Sequence, residues 1–220
     1  MGYFMEWPLI FKDKIGVEKS IVHSDGRGIA TVLRGVTFRS TSFDALETDQ
    51  VSDSSLLDSF SFCLGGLCSC SFECYIDIPV WKNGDIICGQ LKMVLELGDP
   101  KENGAIDKEN LILTLFYDGE TFASSGSSGF FEDELLEIQK KLPEETYMKA
   151  CINCAYSDYS PFGNGLFGTM MCFRNIKREY LRVKSKDEFL EIQDRYDSTV
   201  QETYCCYEFA LRVSGTGYRG

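Results

Sequence analysis

Ten cysteines stand in the 220 residues, and the five in the last third have types and spacing that could do chemistry. Cys151 and Cys154 form a Cys-x-x-Cys pair, Cys172 follows, and Cys205 and Cys206 are adjacent. A structural zinc takes four ligands in a tetrahedron, with thiolates at about 2.3 Å. Cys151, Cys154, Cys172 and Cys206 supply such a set. Cys205 is the alternative fourth ligand, because neighbours in an extended chain point to opposite faces. The spacing is not that of a zinc ribbon, in which two Cys-x-x-Cys knuckles face each other. The same four thiolates suit an iron–sulfur cluster. Reduced thiols in a core and a redox couple are the remaining readings. A redox couple wants its first cysteine at a helix N-terminus, where its pKa falls. The residues that follow, YSDYSPFGNG, carry Pro161, Gly163 and Gly165, which oppose a long helix there.

Two further features surround this pair. The loop "YSDYSPFGNGLFG" carries Tyr156, Asp158, Tyr159 and Phe162, expected to be exposed and to form a partner-binding surface, since tyrosine presents contact area at low entropy cost. After it come Arg174, Lys177, Arg178, Arg182, Lys184 and Lys186 with only Glu179 opposing, read as a solvated face or an anion site. The single histidine, His23, is expected in a turn between two strands. It rules out a metal site built on two histidines. A cysteine nucleophile usually needs a base, and His23 is remote in sequence from every C-terminal thiol.

The elements that must position these residues are mostly strands. The stretches "YFMEWPLIF", "KSIVHS", "GIATVLRGVTFRS" and "FSFCL" are short and rich in β-branched or aromatic residues between Gly, Asp and Ser. Residues 41–58 are polar and read as a loop with one helical turn. In "LCSCSFECYIDIPV" (67–80), Cys68, Cys70, Phe72, Cys74, Ile76 and Ile78 share one parity, and the polar residues share the other. This alternation predicts a half-buried strand, paired with 59–64 through a turn at Gly65–Gly66. The cluster Cys63, Cys68, Cys70, Cys74 is therefore assigned to the core, where cysteine acts as a small hydrophobe, and Cys88 is assigned to the core with it. Strands are also predicted over 85–97 and 110–124.

Two amphipathic helices are predicted in the C-terminal part. Over 130–142, Phe131, Leu135, Ile138 and Leu142 fall on one face, with Ser127 or Ser128 as cap and Pro143 as stop. Over 186–196, Ser185 and Glu188 form a capping box before Phe189, Ile192 and Tyr196. The fold class expected is α+β. It is a single domain, 1–220, with mainly antiparallel β-sheet in residues 1–125 and an α+β part in 126–220 that carries the cysteine knuckle.

Composition bounds the partners. The formal net charge of −12 and 44% hydrophobic content describe an acidic globular chain. Such a charge opposes nucleic acid and anionic membrane and favours a basic protein partner. No long apolar stretch and no secretory pattern is visible, which gives an expected cytoplasmic location with reduced cysteines.

The block "KACINCAYSDYSPFGNGLFGTMMCFRN", with "FEDELLEIQKKLP" before it and "VQETYCCYEF…GTGYRG" after it, resembles a family of uncharacterised bacterial proteins. The resemblance covers about 130–220 and carries over no catalytic residue. It implies a bacterial, cytoplasmic origin and C-terminal cysteines acting as a set. The resulting expectation is a non-enzymatic binding protein with a structural zinc, in the manner of a toxin's immunity protein. The alternative is a thiol-dependent enzyme or redox protein using Cys151 and Cys154.

Overall fold

A computed structural model describes residues 4–48 and 54–219. Residues 49–53 of the expected 41–58 loop lie outside the described residues. The strands run β1 Met5–Lys12, β2 Val17–Ser24, β3 Ile29–Leu33, β4 Val36–Ser40, β5 Ser61–Cys63, β6 Gly66–Cys68, β7 Cys70–Lys82, β8 Asp85–Leu97, β9 Glu109–Tyr117, β10 Glu120–Ala123, β11 Thr146–Met148, β12 Ser157–Asp158, β13 Met170–Cys172 and β14 Ser198–Val200. The α-helices are α1 Ser54–Leu57, α2 Phe131–Lys141, α3 Lys177–Tyr180 and α4 Lys186–Ile192. The fold is mainly antiparallel β-sheet with its helices concentrated in the C-terminal part.

The main sheet has the order β10-β9-β8-β7-β1-β2-β3-β4, with β11 also paired to β7. Every described pairing is antiparallel. Short hairpins explain this order: Arg34–Gly35, Asn83–Gly84 and Asp118–Gly119 all have positive φ at both positions, which matches the twist of paired strands. The turn at Arg34–Gly35 divides the predicted 28–40 segment into β3 and β4. The turn at Asp118–Gly119 divides the predicted 110–124 strand into β9 and β10. Between β5 and β6 the turn falls on Leu64–Gly65, one position before the predicted glycine pair.

The alternation in β7 behaves as its sequence reads. Cys70, Phe72, Cys74, Ile76, Ile78 and Val80 are buried, and the residues between them are not. Cys63 on β5 is only half-buried, and Cys88 departs further from the core assignment. It is exposed, because β8 turns Leu91, Met93, Leu95 and Leu97 inward, and Cys88 has the opposite parity. His23 also differs from expectation. It lies on β2 rather than in a turn, pointing away from the buried Val22 and Ser24.

The buried face is closed by α2, which packs on β9, and by a run of phenylalanines. Phe131 meets Phe167 at 4.6 Å, Phe167 meets Phe43 at 5.6 Å, Phe43 meets Phe72 at 6.2 Å, and Phe72 meets Phe11 at 5.4 Å. Aromatic pairs at these separations add to the burial of their area. The run ties the C-terminal Phe167 to the centre of the sheet. A smaller core of Met171, Phe173, Tyr180, Val183, Phe189 and Ile192 lies beside it, with Tyr218 packed on it.

Helix α2 buries Phe131, Leu135 and Ile138, but its cap differs from the serine expected. Phe130 is the first flanking residue and gives no side-chain cap. Instead the buried Glu134 reaches back from the first turn and accepts from the backbone N–H of Gly126 (2.8 Å) and Ser128 (3.0 Å). Helix α4 is capped by Ser185 as predicted, its Oγ accepting from Glu188 N–H. It ends at Ile192 in a single 3-10 turn over Gln193–Arg195.

Candidate functional site

The Cys-x-x-Cys pair occupies a single 3-10 turn, Cys151–Asn153, which closes with Cys154 N–H donating to the Cys151 carbonyl at 3.0 Å. Two stretches of the C-terminal segment hold it. On one side Cys151 N–H donates to Tyr204 O at 2.7 Å, and Ile152 N–H to Glu202 O at 2.9 Å. On the other, Ala155 N–H donates to Ala210 O and Arg212 N–H to Asn153 O. The chain between these stretches, 205–209, passes over the turn and carries Cys205 and Cys206. Cys172 comes from β13, whose partner β12 begins three residues after Cys154 and pairs Ser157 with Cys172. Backbone pairing thus brings three separate segments and five thiols into one region.

The thiols act on one another electrostatically. Burial, and then the neighbouring Cys154, Cys172, Cys206 and Cys205, push the Cys151 thiol well above its usual range. Cys172 is raised first by burial and Cys205 likewise. This is opposite to the depressed pKa of a reactive thiol at a helix N-terminus, and the turn after Cys154 runs into β12, not into a helix. Among the described residues, no group of three or more His, Cys, Asp or Glu side chains is set to hold a metal ion.

The Tyr-rich loop is not the exposed surface expected. Asp158 is 2% exposed and Tyr159 6%, so neither side chain is offered to a partner. Tyr156 is half-buried with the Lys177 ammonium 4.9 Å from its ring centre. Phe162 is exposed, with Lys186 over its ring. The physical reason is a polar network that sequence reading missed. Asp158 Oδ2 accepts from Tyr180 Oη at 2.7 Å, and Oδ1 from Tyr159 N–H at 2.8 Å. Tyr159 Oη donates to Glu202 Oε1 at 3.1 Å, while Glu202 Oε2 accepts from Gly168 N–H at 2.7 Å. Gly168 has φ +75°, and a Cβ there would lie 2.3 Å from Thr41 O, so only glycine fits.

The C-terminal segment completes the network. Arg212 donates to the carbonyls of Cys154 and Ser157 and to Tyr180 Oη. Arg219 binds Glu132 Oε1 at 3.2 Å and Ile152 O at 2.7 Å, with its guanidinium over the Tyr159 ring. Gly217 has φ +72° and lies against Tyr180, where a Cβ would come within 2.7 Å of Oη. Burial pushes the Glu202 carboxyl up to about 7 and raises Glu132, the latter against the pull of Arg219.

Two cations of the basic run after Cys172 are paired within the fold. Arg174 pairs with Asp197 at 2.9 Å and Lys177 with Glu208 at 2.5 Å. The second pair fastens the 205–209 stretch to α3.

No described helix is long and apolar enough to cross a membrane. Comparison with curated proteins and with solved structures gives no match. A family model does match, over residues 5–157. This span takes in the main sheet, α2, Cys151 and Cys154, and stops before Cys172, Cys205 and Cys206. It exceeds half of the chain, and the chain therefore belongs to the family of unknown function DUF6304.

Proposed function

We propose that this chain is a non-enzymatic binding protein whose C-terminal part is pinned by a structural metal ion on Cys151, Cys154, Cys172 and Cys206, with Cys205 as the alternative fourth ligand. The observation that carries this reading is the convergence of five thiols from three segments, where burial first and neighbouring thiols second raise Cys151 and Cys172. A bound dication reverses that repulsion and stabilises the thiolates. An all-sulfur set suits zinc. Tetrahedral ligation needs Zn–S of about 2.3 Å, so the half-exposed 205–209 stretch would draw inward on binding. The acidity of the chain supports a basic protein as partner, and a toxin-neutralising role is one use of such a surface.

The test is zinc titration of the full chain with a chromophoric competitor. One equivalent bound by the wild type, and none by Cys151→Ser with its circular dichroism unchanged, is the expected result. A wild type that binds no metal overturns the metal site. Steady turnover of a thiol substrate lost in Cys151→Ser overturns the non-enzymatic reading.

A further inference from the structure

Arg174, from the basic run, turns inward. It opens the 3-10 turn Arg174–Ile176 that follows β13, and its side chain is 16% exposed. Nη2 donates to Asp197 Oδ2 at 2.9 Å and reaches Ser198 Oγ at 3.5 Å. Nε is buried with no hydrogen-bond partner. A buried donor left unpaired is costly, and a charged one more so. Such a donor calls for an acceptor that the Asp197 pair does not supply.

The groups that face this guanidinium are mostly thiols. Burial opposes its charge, yet Cys172, ahead of Asp197, and then Cys206 and Tyr204 raise it overall. The Arg174 backbone N–H also donates to the Cys172 sulfur. Hydrogen bonds and charge just outside a ligand set orient the ligands and tune the site. The two adjacent cysteines are treated unequally. Cys206 acts on Cys151 ahead of Cys205, and it also acts on Cys172 and Arg174. Cys205 faces Lys149 instead, and its thiol donates to the Cys206 carbonyl at 3.7 Å. Lys177 faces Cys206 as well, but Glu208 holds its ammonium at 2.5 Å.

We infer that Arg174 is the positioning residue of the thiolate site, its guanidinium balancing Cys172 and Cys206 and so making Cys206, not Cys205, the fourth ligand. This rests on the metal-site reading above. Four thiolates around one dication leave a net negative charge. A negative charge away from water needs a cation or donors beside it, and Arg174 offers both.

Zinc is titrated into the metal-free full-length chain and its variants, with cobalt(II) as a spectroscopic stand-in. Cys205→Ser is expected to bind as the wild type does. Cys206→Ser should lose the part of the sulfur-to-cobalt charge-transfer band that a fourth thiolate contributes. Arg174→Gln should weaken zinc about tenfold or more, and Arg174→Lys should fall between it and the wild type. Asp197→Asn removes the ion pair but leaves the guanidinium beside the thiols, so it should bind zinc no more weakly than the wild type. That arm separates charge balance from simple support of the fold. A wild type that takes up no zinc overturns the metal-site reading and this inference with it. Zinc bound by the wild type overturns this inference alone in any of three cases: Cys205→Ser impaired and Cys206→Ser intact, Arg174→Gln at full affinity, or Asp197→Asn as weak as Arg174→Gln. If Arg174→Gln does not fold, full affinity in Arg174→Lys, which keeps the pair with Asp197, does the same.

Discussion

Tyr180 donates its hydroxyl proton to Oδ2 of Asp158 at 2.7 Å, with both side chains buried. The pair joins α3 to β12 and fixes the loop between β12 and β13 against the smaller core. Tyr180→Phe keeps the ring that stacks on Phe173 at 4.7 Å and removes the hydroxyl that donates to Asp158 and accepts from Arg212. A buried carboxylate that loses a hydrogen bond costs about 1–3 kcal/mol. Urea denaturation should show a loss of that size, with an unchanged m-value.

Glu202 predicts a pH dependence. Its carboxyl is raised to about 7 in the fold, against about 4.3 in an unfolded chain. The folded state therefore holds the extra proton between these values. The contribution is fully present below about pH 4.3 and is lost as pH rises through about 7. The loss amounts to about 3–4 kcal/mol. Denaturation midpoints should fall between pH 5 and pH 8, and Glu202→Gln should remove most of that slope.

Arg219 is predicted to act as a latch for the C-terminal segment. It bridges Glu132 and the Ile152 carbonyl with its side chain mostly covered. Arg219→Ala should cost about 1–3 kcal/mol, because it leaves the half-buried Glu132 without its counter-charge. Arg219→Lys should recover only part of this, since a lysine cannot span both acceptors with a planar fork. Hydrogen exchange should speed up at Asn153 and Ala155, whose amides lie where this segment is held.

The thiols are predicted to separate into kinetic classes. Cys88 is exposed, whereas burial pushes Cys70 up to about 12 and raises Cys74 further. Native protein at pH 8 should therefore label first at Cys88, as read by mass spectrometry. Cys70 and Cys74 should label only after unfolding.

The strands were legible because burial in a sheet alternates with period two, and β7 states that period over its whole length. The same parity puts Cys88 on the outward side of β8 with Gln90 and Lys92, a step that its assignment to the core did not take. The interior of the Tyr-rich loop was not legible. Asp158 and Tyr159 look like surface residues because polar side chains in a Gly-rich loop usually are. Their burial depends on Tyr180, Glu202 and Arg219, which lie far along the chain and share no periodicity with them. The absence of a serine cap on α2 was missed for a related reason: Ser128 is drawn to Glu134 inside the helix, whose carboxylate accepts from the loop amides of Gly126 and Ser128.

The measurement that tests the central claim most directly is elemental analysis of protein purified without chelator, with thiols counted before and after chelation. About one zinc per chain, and four thiols that become reactive only on chelation or unfolding, is the predicted result. A chain that carries no metal, takes up none when zinc is supplied, and shows Cys151, Cys154, Cys172 and Cys206 unprotected in the folded state would contradict it.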